Sequence, residues 1–401
     1  MSEEVKRSLQ RIHAPDEIEA QRRAWALVRA SFDTREPVAW QKRNRRPLLL
    51  VALGLLVLLA AFLSPPGRAL VGSVRDAVTP DKNTPKPKPA LTALPAGGSL
   101  LVNSSKGPWI VHPDGSMRPL GPWWEGAWSP NAEHVAVTKA HRLAALTPDG
   151  TLKWALARSK LLHGARWSLE PPSECCRIAY LNGRQLRVVA GDGTGDAPLR
   201  DVVGPVAPAW RPAVTRQVAF STIDGRIELA DVDTTKTIWL SAPGDPPMQL
   251  VWSDDGRRLL ALGERSLRVF DSNGNKLWAI GMPVGPSGVV FVRKSHRFIV
   301  IRYSPATQRS DLVLFQAETS PGEPRFLYSA PGDFGTLAIS QNGDWLLVGW
   351  INANQWLFLR LTSSAKVESV SNIVEQFGGS SEAPLDTAFP KSVSWCCPAS
   401  P

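Results

Sequence analysis

The sequence predicts an all-β fold: a β-propeller of seven four-stranded blades closed by the C-terminal strand, preceded by an N-terminal amphipathic helix and one transmembrane helix. Three observations carry it. A Trp-centred phrase recurs about every forty residues, β-rich runs broken by turn dipeptides follow each copy, and the first blade lacks an inner strand that the last residues can supply. The phrase reads Ala127-Trp128-Ser129-Pro130, Arg166-Trp167-Ser168, Ala209-Trp210-Arg211-Pro212 and Val251-Trp252-Ser253-Asp254-Asp255-Gly256, with Trp spacings of 39, 43 and 42. Weaker copies centre on Phe291 and Ile339, and a last one, Ser394-Trp395-Cys396-Cys397, lies almost at the C-terminus.

Each phrase precedes runs rich in apolar and β-branched residues, such as 134–138, 177–181, 217–221, 258–262, 297–301 and 345–349. Second runs follow, for example 142–146, 185–190, 226–231 and 266–271, and third runs end near Trp154, Trp239 and Trp278. Asp114-Gly115, Asp149-Gly150, Asp192-Gly193, Asp224-Gly225 and Asn273-Gly274 supply the positive φ of tight hairpins. A single blade cannot bury both faces, so neighbours must stack. Residues 99–102, 109–112 and 117–120 give three strands with no inner phrase before them, and Trp395 is a phrase with no strands after it. Pairing 393–397 with 99–102 closes the ring and removes a free β edge. The drift in spacing between 291 and 395 leaves six or eight blades as alternatives to seven.

The Trp-Ser-Pro-x-x-x-x-Val-Ala pattern within 128–137 resembles the TolB-type, WD40-like bacterial propeller repeat, over roughly residues 98–398. The fuller Asp-Gly form of that repeat is kept well only at Asp255-Gly256. The resemblance implies a fold and little function, because one propeller architecture hosts unrelated activities.

The domain plan reads as a cytoplasmic segment 1–46, a transmembrane helix 47–66, a Pro/Lys-rich stalk 67–97 and a propeller ectodomain 98–401. Residues 48–63 carry no charge and reach about 24 Å as a helix, short of a ~30 Å hydrocarbon core, so flanking Arg45, Arg46 and Arg68 snorkel or the bilayer thins. Forty-six residues before the apolar run and Ser64-Pro65-Pro66 after it do not fit a cleaved signal peptide. A buried globular helix is the competing reading. Lys42, Arg43, Arg45 and Arg46 at its N-terminal side place the N-terminus in the cytoplasm and the propeller outside the plasma membrane. The net charge of +10 is spread as +4, +3 and +3 over 1–46, 47–97 and 98–401. A module nearly balanced in charge offers no nucleic-acid surface. In 15–32, Ile18, Trp25, Val28 and Phe32 share one helical face, which reads either as a docking helix for a cytosolic partner or the inner membrane surface, or as a solvated helix without one.

Four cysteines form two adjacent pairs, Cys175-Cys176 and Cys396-Cys397. Outside the reducing cytosol disulfides are expected. Bridges between the pairs would staple the closing segment to the ring; bridges within each pair and reduced thiols are the alternatives. Adjacent-cysteine disulfides also occur in quinoprotein dehydrogenases, and 149–154 and 273–278 resemble the Trp-docking repeats of that family, which implies a quinone-dependent or hydrolytic enzyme as the alternative function. No compact Glu/Asn/Asp set reads as a catalytic Ca²⁺ site, and burial alone accounts for the docking Trp residues. His13, His112, His134, His141, His163 and His296 make no His-x-x-x-His pair, and Gly-x-Ser-x-Gly is absent. Gly191-Asp192-Gly193-Thr194-Gly195-Asp196 joins β-runs rather than opening a helix, so it is a hairpin turn and not a phosphate loop. No catalytic residue, metal site or cofactor is therefore assigned.

A ligand would meet the loops that join one blade to the next. Trp123, Trp124 and Glu125 are the most conspicuous, with Asp245, Asp333 and Phe334 in equivalent loops. Exposed aromatics there would anchor a protein, peptide or glycan; packing of both Trp rings between blades is the competing reading. The sequence thus points to a membrane-anchored, extracytoplasmic binding scaffold, with sensing as a further role if residues 15–32 transmit capture to the cytosol.

Overall fold

The computed structural model describes residues 90–168, 176–214, 216–283, 288–362, 366–380 and 382–396. The expectations for 15–32, for 47–66 and for the stalk as far as 89 lie outside these residues. Among the described residues no helix is long and apolar enough to cross a membrane. They belong to the second of two units into which the chain divides, Pro85–Pro401.

That unit is a seven-bladed propeller of four-stranded antiparallel sheets. Blade 1 is β28(Ser392–Cys396)-β1(Ser99–Ser104)-β2(Gly107–Val111)-β3(Met117–Pro119). Blades 2 to 4 are β4(Glu125–Trp128) to β7(Leu152–Ala157), β8(Leu162–Trp167) to β11(Ala197–Arg200), and β12(Ala209–Trp210) to β15(Thr237–Leu240). Blades 5 to 7 are β16(Pro247–Trp252) to β19(Lys276–Gly281), β20(Val289–Phe291) to β23(Arg325–Pro331), and β24(Phe334–Ile339) to β27(Val367–Ser371). The C-terminal strand closes the ring, with Leu100 opposite Trp395 and Val102 opposite Val393. Strands within a blade are called a to d from the axis outward. Antiparallel pairing puts the d-to-a connectors and b–c turns on one face, the connector face, and the a–b and c–d turns on the other, the turn face. The chain enters the ring on the turn face, where Leu94 N–H donates to the Pro113 carbonyl at 2.9 Å.

The spacing drift has a local cause. In blade 6, β21(Arg297–Ser304) and β22(Arg309–Gln316) are eight residues each, and two one-turn helices, α1(Ile373–Gln376) and α2(Leu385–Ala388), separate β27 from β28. The extra chain lies in these elements, so the number of blades stays at seven.

The core is seven separate apolar clusters, one at each blade-to-blade interface. Alternate side chains of a strand leave on opposite faces. Thus Leu346 and Val348 of β25(Trp345–Trp350) face blade 6, while Trp345 and Leu347 face blade 1. Both faces of a middle strand are buried, which is why these runs read as continuously apolar rather than alternating.

Two rows of donors lock adjacent blades. Along the inner strands of blades 3 to 5, the phrase Trp donates backward to the carbonyl preceding the Trp of the blade before it. Trp167 Nε1 reaches Ala127 at 3.1 Å, Trp210 Nε1 reaches Arg166 at 2.8 Å and Trp252 Nε1 reaches Ala209 at 3.2 Å. Along the outer strands a side chain donates forward into the c–d turn of the next blade. Trp154 Nε1 reaches Gly191 at 2.7 Å, Trp239 Nε1 reaches Ser272 at 3.1 Å and Trp278 Nε1 reaches Glu318 at 2.9 Å. Arginine takes the same part where Trp is missing, with Arg118 Nη1 to Asp149 O at 3.3 Å and Arg200 Nη1 to Thr235 O at 3.0 Å.

A β-bulge precedes four of these outer donors. The c–d register skips Lys153, Leu199, Ile238 and Leu277, one residue before Trp154, Arg200, Trp239 and Trp278. An inserted residue twists the strand and re-aims the side chain that follows it. Burial alone, the sequence expectation for the docking Trp residues, is therefore only part of their role.

Candidate functional site

The phrase serine builds the a–b turns of the turn face. Ser253 Oγ donates to Asp255 Oδ1 at 2.6 Å and accepts from Arg258 N–H at 3.0 Å; Ser129 and Ser340 do the same with Asn131/His134 and Asn342/Trp345. In the c–d turns Asp114, Asp149 and Asp192 accept the N–H two residues on, at 3.0, 3.0 and 2.9 Å, which fixes Asx turns. Gly191–Asp196 is such a turn.

The same face carries an ionic lock between blades 5 and 6. His296 lies between Asp255, 2.9 Å from Nε2, and Glu318, 2.7 Å from Nδ1, and Arg258 holds Glu318 at 2.8 Å. Burial pushes the Asp255 carboxyl up, but the Ser253 hydroxyl, His296 and the Arg257 N–H outweigh it and hold it down at about 2. Bonds from His296 and then Arg258 lower Glu318. Among the described residues no three His, Cys, Asp or Glu side chains gather as a metal cluster. Cys176 and Cys396 are not free thiols; Cys175 and Cys397 lie outside the described residues.

An axial channel of about 720 Å³ is lined by the inner strands, with Ala127, Arg166, Ala209, Val251 and Ser394 among its walls and Met248 and Lys391 also contributing. Inside it Arg293 pairs with Asp254 at 2.9 Å, and the Arg166 guanidinium bonds the Ala165 carbonyl at 2.7 Å.

The six loop residues singled out from the sequence fall on the connector face, in three different settings. Trp124 is exposed, and Trp123 packs half-buried against the blade 1–2 cluster. Glu125 is occupied, accepting from Thr138 Oγ1 at 3.1 Å and from the Gly164 N–H of blade 3. The Asp245 carboxylate caps the b–c turn of blade 5, accepting Arg265 N–H at 2.8 Å and Ser266 N–H at 2.9 Å. Asp333 donates its N–H to Asn352 Oδ1 at 2.5 Å. Phe334 is wholly buried between Tyr328 and Trp350, so its ring is part of the core rather than of the face.

The loop geometry sets beside Trp124 three residues that the sequence reading did not single out. Trp124, Leu161, Val202 and Ile223 are exposed by 51, 53, 58 and 60%. Backbone bonds join their loops into one arc over blades 2 to 4. Trp124 N–H donates to Thr138 O (2.8 Å), Leu162 N–H to Ala140 O (2.7 Å), Gly183 N–H to Leu161 O (2.8 Å), Val203 N–H to Arg184 O (2.9 Å) and Gly204 N–H to Ser221 O (2.7 Å). An apolar residue in a blade-to-blade connector, or for Ile223 in a b–c turn, was the available signal; without the ring in hand it cannot be told from a core residue.

The chain matches no protein-family profile and no curated protein. Solved structures do resemble it. The WD40 domain of coronin from Toxoplasma gondii superposes with a TM-score of 0.52 at 11% identity, covering 62% of this chain and 70% of that one. Hsv2 from Kluyveromyces lactis, in a form whose loop 6CD is replaced by a Gly-Ser linker, gives 0.51 at 14% identity, covering 69% and 94%. Its structural neighbours are WD40-like propellers. At such identities the likeness is one of fold, and the connector face belongs to this chain's own residues.

Proposed function

We propose that the protein is a membrane-tethered, non-enzymatic propeller that holds a protein partner on its connector face. The observation that carries this reading is the arc of Trp124, Leu161, Val202 and Ile223, four apolar side chains of neighbouring loops turned to solvent rather than into an interface cluster. The tether rests on the uncharged run 48–63 with Lys42, Arg43, Arg45 and Arg46 before it, which sets the propeller outside the cytoplasm and leaves residues 15–32 inside to signal occupancy. The repeat's TolB-type character and a staple between Cys175-Cys176 and Cys396-Cys397 belong to the same reading; Cys176, just before its strand, and Cys396, at the end of its own, both fall at the turn face, and peptide mapping without reduction distinguishes cross-pair from within-pair bridges.

The test is a Trp124→Ala/Leu161→Ala/Val202→Ala variant of the full-length protein, purified from membranes beside the wild type. The reading requires fewer co-purifying envelope proteins at an unchanged melting temperature; an unchanged set at equal expression rejects it. Protease applied to intact cells should cleave the propeller, and cleavage only after lysis rejects the orientation. The enzymatic alternative, a quinone-dependent or hydrolytic propeller, would place its chemistry in the axial channel, and turnover after addition of quinone and Ca²⁺, lost in Arg166→Ala, would establish it.

A further inference from the structure

The connector face has a chemical bias beyond its apolar side chains. Lys139, His141, Arg142, Lys160 and Arg184 are all exposed on the same arc. None of the five forms an ion pair among the described residues. They sit in the loops that carry the apolar set. Lys139, His141 and Arg142 surround the b–c turn of blade 2, whose Ala140 carbonyl accepts Leu162 N–H; Lys160 immediately precedes Leu161, and the Arg184 carbonyl accepts from Val203, next to Val202. Of the carboxylates nearby, Glu125 accepts from Thr138 and Gly164, Asp196 holds Arg158 and Arg187 between blades 2 and 3, Asp224 pairs with Arg226 at 2.8 Å, and Asp201 takes only the neutral Gln185 amide at 3.0 Å, so that one carboxylate stands against four cations. This third of the ring therefore presents free cations interleaved with exposed apolar groups, whereas the rest of the propeller is close to neutral: 98–401 as a whole carries only +3.

Building on the proposed function, we propose that the partner is engaged through an acidic segment with apolar anchors, an extended stretch of Asp and Glu punctuated by large hydrophobic side chains, laid along the loops of blades 2 to 4. Exposed Trp and Leu side chains supply anchoring contacts, and the cations steer a complementary negative charge and set its register. Charge complementarity selects this occupant over a basic one. A neutral apolar segment would leave the four cations Lys139, Arg142, Lys160 and Arg184 facing solvent without a counter-charge. The described residues that lead to residue 99, from 90 onward, run along the turn face, away from the arc.

The experiment uses the full-length protein in neutral detergent and three labelled twelve-residue peptides of alternating Leu with Glu, Lys or Ser, read by fluorescence anisotropy. Vesicles of phosphatidylglycerol and phosphatidylcholine serve as a fourth probe. The proposal expects the Glu peptide to bind best, with an affinity that falls as salt rises from 50 to 500 mM. It also expects Lys160→Glu/Arg184→Glu to weaken that binding about tenfold, as loss and reversal of a few exposed ion pairs imply. Equal binding of the Glu and Lys peptides, no binding of any peptide, or salt-sensitive binding of the anionic vesicles in place of the Glu peptide overturns it. The two readings fail separately. If Trp124→Ala/Leu161→Ala/Val202→Ala strips the co-purifying proteins while Lys160→Glu/Arg184→Glu leaves them, the face stands and the acidic partner falls; if neither variant changes them, both fall.

Discussion

Trp210 of blade 4 donates its indole N–H to the carbonyl of Arg166 in blade 3 over 2.8 Å, and the same bond recurs one blade back and one blade on. The recurrent Trp is thus a spacer between blades as well as a filler: its ring occupies the interface cluster while its nitrogen satisfies a carbonyl of the neighbouring inner strand. A carbonyl buried at such a junction would otherwise cost free energy.

Separating the two roles gives the first prediction. Trp210→Phe keeps most of the apolar volume and removes the donor, and should cost about 1–2 kcal/mol. Trp210→Ala removes both and should cost about 3–5 kcal/mol. Urea unfolding of the two variants checks the ratio, and a Trp210→Phe variant as stable as the wild type would mean that the hydrogen bond contributes nothing.

The outer row depends on glycine. Gly193 and Gly274 have φ of +88° and +84°, and a Cβ at either would lie 2.8 Å from the Trp154 ring or 2.6 Å from the Trp239 ring. Gly274→Ala should therefore destabilise by more than the ~1 kcal/mol of a positive-φ alanine. Gly150→Ala, where φ is +91° but no atom lies within 4 Å, isolates the backbone part. Similar melting temperatures for the two variants would contradict the contact.

Asp196 takes Tyr180 Oη at 2.7 Å, Arg187 Nη2 at 2.6 Å and Arg158. Burial and then the bond to Asp196 push the Tyr180 hydroxyl up to about 12. Asp196→Ala leaves one partly buried guanidinium and one half-buried guanidinium without a counter-charge, and about 3 kcal/mol or more of stability should go with it. Tyrosine ionisation followed by ultraviolet absorbance should show a group titrating at about 12 in the wild type, and in Asp196→Ala that group should move down only part of the way, because burial still raises it.

The lock at His296 predicts an acid dependence of definite sign. Asp255 and Glu318 have folded-state pKa values below their ordinary ones, so their contribution is present above about pH 4 and is lost as the pH falls toward about 2. Melting temperature between pH 5 and pH 2 should fall less steeply in Asp255→Asn/Glu318→Gln than in the wild type. Parallel curves would show that these carboxylates do not contribute.

Closure is the most global test. Deleting residues 390–401 removes β28 and leaves β1 as an open inner edge beside an incomplete blade. The truncated protein should lose cooperative unfolding or self-associate, as seen by light scattering. A monomer of unchanged melting temperature would refute the latch.

The sequence by itself determined the repeat, its Trp-Ser phrase, the turn dipeptides and the tail that completes blade 1. Each of these is written locally, in spacing and in residue types with a preferred φ or a preferred place in a strand. Tertiary structure alone decided where Phe334 and Trp124 point, since both are aromatics at the entry to an inner strand and only the packed ring buries one and exposes the other. It also decided that Arg200 does the work of a docking Trp, because a one-residue bulge, invisible in composition, turns it toward blade 4. The arc of Leu161, Val202 and Ile223 arises the same way. Its members come from loops up to some sixty residues apart in the chain, and only closure of the seven sheets brings them onto one face.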